Sequence, residues 1–358
     1  MISRVADHCF WLGRYLDRAE STARLLQATR TLVFDADIPV TQCWQPLVIV
    51  SGELPAFAKR HGIEKAGDGE AVQRYMTWEL DNYVSIASSV RAARDCARQV
   101  RDVISLECWE EINELFLWLE LESTKQQYQR NREEFFRHVR RSTQLCLGIV
   151  RGTMLHEEPM RFLWLGTMLE RVGQTARILD MHHHTMALEA AHDVVQVAVW
   201  LSLLRACSGA EVFMKKNQGR VTAQSVAQFL LFEPAFPRSL RYCLRSARSL
   251  LAEIWPLEAL PEPVAQPMRS SVVERRSPKR TADLCDLLDE RAKTFGTVNG
   301  IHELLTTVVD EIGAICMQIS SEIQGPVRSK PADPKKEEAP AAPAQGQSQS
   351  QSQSQTSN

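Results

Sequence analysis

Residues 84–104 read VSIASSVRAARDCARQVRDVI, and their apolar positions recur at the spacing of one helix face. Val84, Ala87 and Val90 lead through Arg91 and Arg94 to Ala97, Val100, Val103 and Ile104. These advance mostly in steps of three, which a strand with its period of two does not make. Working outward, the chain holds neither proline nor glycine from Glu70 until Gly148. So long a run without turn formers leaves no place for the closely spaced turns of a β-rich fold. The reading is all-α.

A second stretch says how the helices are organised. Trp11-Leu12-Gly13-Arg14-Tyr15-Leu16-Asp17-Arg18-Ala19-Glu20-Ser21-Thr22-Ala23-Arg24-Leu25-Leu26 returns 153 residues later as WLGTMLERVGQTARIL at 164–179, with nine of sixteen positions identical. A weaker echo sets Ser89–Arg98 against Ser239–Arg248 at offset 150, and Trp44 answers Trp200. Repetition at a nearly fixed offset predicts a helical bundle built from two repeated units, 1–155 and 156–325, packed together as one domain. From Pro326 onward the composition turns to Pro, Ala, Lys and Glu and ends in a Gln-Ser repeat, so 326–358 is expected to be a disordered tail. Five prolines between Pro256 and Lys279 predict a long surface loop.

Within the repeated helix, Cys9, Leu12, Leu16, Ala19, Ala23 and Leu26 follow a 3-4-3-4-3 seam, answered by Phe162, Leu165, Leu169, Val172, Ala176 and Leu179. Trp11, Arg18 and Thr22 line the opposite face, as do Trp164, Arg171 and Thr175. Patterning on both faces marks a central helix. Arg18 and Arg171 are then partly desolvated and need carboxylate or carbonyl partners. The preceding acids, Asp17 and Glu170, cannot serve them, because neighbours in a helix do not face each other. A twofold-like pairing of the two helices would give each arginine a carboxylate from the other half, Glu170 or Glu20. Arg14–Asp17 and Glu20–Arg24 have the spacing of local pairs. With Arg177, these residues are read either as an inter-helix ion network that fixes packing or as a site for an anionic ligand.

Composition narrows the function. The 358 residues carry 42 Lys+Arg against 44 Asp+Glu, a net charge of −2, without the basic excess of a nucleic-acid binder. No run of eighteen apolar residues predicts a membrane span, and the charged N-terminus lacks the apolar middle of a secretory signal. Nine cysteines with no CxxC among them read as reduced, buried thiols of a cytoplasmic protein. Walker, dinucleotide, HExxH and GxSxG signatures are all missing, so no nucleotide or other cofactor is expected on this chain. Met181-His182-His183-His184 follows the second repeated helix, and Glu189-x-x-His192 is half of a di-metal carboxylate motif without its second copy. His182, His184, His192 and Glu189, with Asp180 nearby, are therefore candidates for a chance divalent site, the default being a capping or solvated cluster and no metal.

The segments LGRYLDRAESTARLL at 12–26, VRAARDCARQVRDVISLECWEEINEL at 90–115 and FLWLGTMLERVGQTARILD at 162–180, with FPRSLRYCL at 236–244 and GIHELL at 300–305, carry a resemblance. Over about 1–325 the chain resembles the Alpha-E family, helical proteins with a Glu-Arg motif. Glu170-Arg171 keeps that motif, whereas Asp17-Arg18 departs from it. The resemblance implies a bacterial protein whose kind is typically encoded beside, or fused to, a circularly permuted ATP-grasp carboxylate–amine ligase. A transglutaminase-like protein of papain fold often accompanies the pair, and the implied setting is synthesis or attachment of a peptide or amide. Three readings follow: a non-catalytic partner or scaffold of the ligase, an enzyme acting on a peptide or amide through the Glu-Arg residues, and a metal-binding bundle.

Overall fold

In the computed structural model, residues 3–36, 38–186, 193–256, 275–298 and 300–325 are described. They run through α1 (Ser3–Asp35), α2 (Val40–Val50), α3 (Leu54–His61), α4 (Gly69–Trp78), α5 (Ile86–Gln99), α6 (Leu106–Glu120), α7 (Glu122–Arg130) and α8 (Arg132–Thr153). There follow α9 (Glu158–Met186), α10 (Asp193–Ala206), α11 (Ala210–Lys216), α12 (Ala223–Phe232), α13 (Leu240–Ile254), α14 (Ser277–Thr294) and α15 (Ile301–Gln324). A single 3-10 turn, Ile63–Gly67, precedes α4, and among the described residues there is no strand. The described residues up to Gly325 pack as one unit. The tail, 326–358, lies outside the described residues.

The fold is organised around two long helices. All six residues of the α1 seam, from Cys9 to Leu26, are at most 1% exposed, and those of α9, from Phe162 to Leu179, at most 3%. Each fully buried leucine of such a seam is worth about 1.5–3 kcal/mol. The other faces are covered too: α1 packs on α5, α8 and α10 as well as on α9, and α9 packs on α13, α15 and α2. Pro159 stands in the first turn of α9, where its missing N–H is no loss.

Glycine sets how closely the two helices approach. A Cβ on Gly13 would stand 1.9 Å from the Leu163 carbonyl oxygen, and one on Gly166 would stand 2.0 Å from that of Phe10. Only glycine lets the backbones touch there. The two contacts exchange partners at the 153-residue spacing, so Gly13 is to Leu163 as Gly166 is to Phe10.

The flanking helices correspond at a slightly different spacing. Ser85 caps α5, accepting from the Ser88 N–H and donating to the Glu79 carbonyl at 2.7 Å. Ser239 caps α13 in the same way, accepting from Tyr242 and donating to the Glu233 carbonyl at 2.6 Å. Caps and buried stripes thus match at 154, not at the 150 read from sequence. The four-residue discrepancy is one helical turn, which leaves the apolar face unchanged and so is invisible to periodicity.

Two further differences from the sequence reading stand out. The Pro256–Lys279 loop ends earlier than expected, because α14 begins at Ser277 with Pro278 in its first turn, while 257–274 lie outside the described residues. α15 is long and apolar enough to cross a membrane by length and composition, although no span was expected. Part of its apolar surface faces the core, with Leu305, Val308, Ile315 and Ile319 fully buried, while Met317 is exposed.

Candidate functional site

The motif acids reach across the helix pair. Arg18 grips Glu170 with both prongs, Nε donating to Oε1 at 2.7 Å and Nη2 to Oε2 at 2.8 Å. Arg171 in turn donates from Nε at 3.0 Å and Nη2 at 2.8 Å, both to Oδ1 of Asp17. The longer glutamate thus offers two oxygens to the fork and the aspartate one, which is the structural consequence of the departure at Asp17. The remaining guanidinium nitrogens complete the exchange. Nη1 of Arg18 donates to the Tyr83 carbonyl at 3.5 Å and that of Arg171 to the Pro237 carbonyl at 3.3 Å. One turn on, Thr22 donates to the Val84 carbonyl at 3.2 Å and Thr175 to that of Arg238 at 2.9 Å. The arginines therefore also pin the loops that lead into the Ser85 and Ser239 caps.

Other candidates fall differently from their sequence reading. Arg14 does not pair locally with Asp17. It lies over the Trp11 ring, 4.5 Å from its centroid, and donates from Nε to Oε2 of Glu170 at 2.9 Å. Gln174 adds a donor to Oε1 at 3.0 Å. Glu20 is not a partner of Arg171. Its Oε1 takes Arg24 at 2.7 Å, Arg238 at 2.7 Å and Gln144 at 3.1 Å, while its Oε2 is buried without a hydrogen bond among the described residues. Arg177, half-buried, makes no ion pair within 4 Å among the described residues. The position that would supply one, 153 residues after Glu20, is Gly173, where a Cβ would stand 2.8 Å from Arg177 Nη1. Arg238, Gln144 and Gln174 were missed in the sequence. Only Gln174 sits in the repeat at all, and nothing in local spacing ties Arg238 to Glu20.

These charges are out of water, Asp17 at 0%, Glu170 at 4% and Arg18 at 9% exposure. Burial pushes Glu170 up, but Arg18 and then Arg14 outweigh it and hold the carboxyl well below the usual range. Glu20 is likewise lowered, Arg238 and Arg24 overcoming burial. For Asp17 burial wins over Arg171 and Arg238, and the carboxyl moves up. Arg177 is moved down by burial and by Arg18 and Arg14, with Glu170 opposing. A carboxylate held as Glu170 is accepts a proton poorly near neutrality, so the arrangement works as a charge lock better than as an acid–base pair. Nor is a thiolate poised beside it. All nine cysteines are free and buried, and burial pushes Cys9, Cys207 and Cys243 up to about 12.

Of the metal candidates, His184 joins Asp180 and His302 at the end of α9. Its imidazole is moved down by burial, against Asp180. Glu189 and His192, and the His182 side chain, lie outside the described residues. A broad cleft of about 940 Å³ opens elsewhere, lined by Trp78, Phe116 and Tyr128 together with Arg91 and Arg132, and none of the motif residues lines it.

No solved structure matches the chain. An uncharacterized protein of Mycobacterium bovis is 26% identical over 336 residues, covering 90% of this chain and 38% of the relative. One from Mycobacterium tuberculosis (strain H37Rv) is 25% identical over the same shares. The chain thus spans a little over a third of the length of these relatives. Residues 1–323 match Alpha-E, described as "a predicted alpha-helical domain with a conserved ER motif", and with both motif pairs at the crossing of its two central helices the chain belongs to the Alpha-E family.

Proposed function

We propose that this chain is a helical partner, without catalytic chemistry of its own, of an ATP-grasp carboxylate–amine ligase in a bacterial, cytoplasmic system that makes a peptide or amide product. The observation that carries the reading is the closure of the motif: Asp17, Arg18, Glu170 and Arg171 are engaged with one another and with main-chain carbonyls. Residues spent in this way hold two helices in register and are not free to turn over a substrate. The mycobacterial relatives support a partner's role, since in them the matched region is 38% of a longer chain. The ligase and the transglutaminase-like protein enter from the resemblance. The same proposal takes 1–155 and 156–325 as two copies of one helical unit, supported by the exchanged contacts of Gly13 with Leu163 and Gly166 with Phe10.

A second reading, an enzyme acting on a peptide or amide through the motif, draws on Arg177, which makes no ion pair within 4 Å among the described residues and feels Glu170 only at longer range. Calorimetry with Mg-ATP, followed by co-purification with the neighbouring ligase and a turnover assay, decides between them. The partner reading expects no ATP binding by this chain alone and a higher ligase rate in its presence. Micromolar ATP binding, or release of product from a peptide or amide by this chain alone, overturns it.

A further inference from the structure

We propose that Asp180, His184 and His302 form a binding site for one divalent transition cation of the zinc class, tying the end of α9 to the start of α15. Asp180 and His184 are four residues apart on α9, hence on one face and one turn from each other. His302 is the second residue of α15. Its Nδ1 lies 2.7 Å from Asp180 Oδ1, and His184 Nε2 lies 3.4 Å from Asp180 Oδ2. One donor atom from each of the three lies within 4.8 Å of the other two.

Those spacings suit a small tetrahedral ion. Zinc–nitrogen and zinc–oxygen bonds of about 2.0–2.2 Å put neighbouring donors roughly 3.3 Å apart. The 3.4 Å pair already has that separation. The 2.7 Å pair runs to the other carboxylate oxygen, so as the hydrogen bond gives way to the metal the His302 ring must draw back by about 0.6 Å and the carboxylate turn one oxygen to the ion. Two imidazoles and one carboxylate are the borderline donor set that favours zinc, cobalt or nickel over magnesium or calcium, which prefer all-oxygen cages.

The site is also supported and open. The His183 ring stacks on that of His302 at 4.1 Å and 10°, fixing the plane in which the ligand nitrogen points. Side-chain exposures of 14%, 25% and 39% for Asp180, His184 and His302 leave a path for the ion and a fourth position for water. The competing account is an ordinary aspartate–histidine ion pair at a helix junction, which needs no metal. The proposal does not depend on the ligase reading, because it concerns a different end of α9.

The test uses the full chain stripped by a chelator. Zn²⁺ is titrated by calorimetry and Co²⁺ by its visible absorption. One equivalent is expected to bind with micromolar or tighter affinity and to raise the melting temperature. The Co²⁺ spectrum should lack thiolate charge-transfer bands. Asp180→Asn and His302→Gln, which retain hydrogen-bonding groups and are expected to melt with the metal-free parent, should each weaken binding at least tenfold, the loss that even a supporting residue causes (about 10–100-fold). No binding by the parent overturns the site. Equal binding by His302→Gln also overturns it, since the ion would then sit on the consecutive histidines as an adventitious guest.

Discussion

Arg171 and Glu170 stand side by side in the chain and answer different partners, so removing each has a distinct signature. Arg171→Met leaves Asp17, fully buried, without its forked partner. Breaking such a pair from one side costs about 3–5 kcal/mol, and a correspondingly lower denaturant midpoint is the expected result; an unchanged midpoint would contradict a structural role. Glu170→Gln adds a pH signature. The Glu170 carboxyl is lower in the folded protein than its unfolded value of about 4.3. Its contribution is therefore present above that value and lost as pH falls toward the folded pKa. The gap between parent and Glu170→Gln should be widest near neutral pH and shrink below about pH 4, as read from denaturant midpoints at pH 7, 4 and 3. Asp17, moved up by burial, acts in the opposite sense, which is why the difference between parent and variant is the informative quantity. That these acids must look to another helix was legible in the sequence, because adjacency in a helix forbids the obvious pair. That Arg171 would find Asp17, and that Arg14 would bend to Glu170, was not, because those choices depend on how two helices 153 residues apart cross.

At the level of the elements, the α1–α9 crossing makes two glycines opposite in kind to a third. Gly13→Ala or Gly166→Ala places a methyl about 2 Å from a carbonyl oxygen of the facing helix, so the pair must separate. Overpacking of this sort costs about 1–3 kcal/mol, and a lower melting temperature is expected for either variant. Gly148→Ala in α8 meets nothing within 4 Å and should raise stability by up to about 1 kcal/mol, the difference in helix propensity. A thermal scan of the three variants checks the sign at each site. The 3-4-3-4-3 seam revealed both central helices, and the flanking pair was legible as an echo but misregistered by a turn, its serine caps unread. The close crossing was hidden, because a glycine in a helix reads as a weakness until the facing carbonyl is known.

For the molecule as a whole, nine cysteines and no disulfide amount to a test of packing. With burial pushing Cys9, Cys108, Cys207 and Cys243 up to about 12, the native protein is expected to leave a thiol reagent at pH 8 unreacted over minutes. Nine equivalents should react once it is denatured. Rapid reaction of two or more thiols in buffer would mean a looser body than the one described. The all-α class was legible from the absence of turn formers between Glu70 and Gly148 and from helical spacing. The junction of Asp180 with His302 was not, because its members are 122 residues apart and only three-dimensional closure joins them.

The crossing of α1 and α9 has a consequence for how the chain is born. While the ribosome adds the 151 residues from Asp35 to Met186, roughly 8–30 seconds at about 5–20 residues per second, α1 has no α9 to close on. Asp17 and Arg18 remain without their α9 partners throughout. The N-terminal half is thus a client waiting for its other half, a high-contact-order design in an otherwise locally folded helical protein. A fragment of 1–155 made alone is expected to aggregate or stay unfolded, and to be rescued when 156–325 is produced in the same cell. A soluble, cooperatively melting 1–155 would show instead that the first half stands without the second.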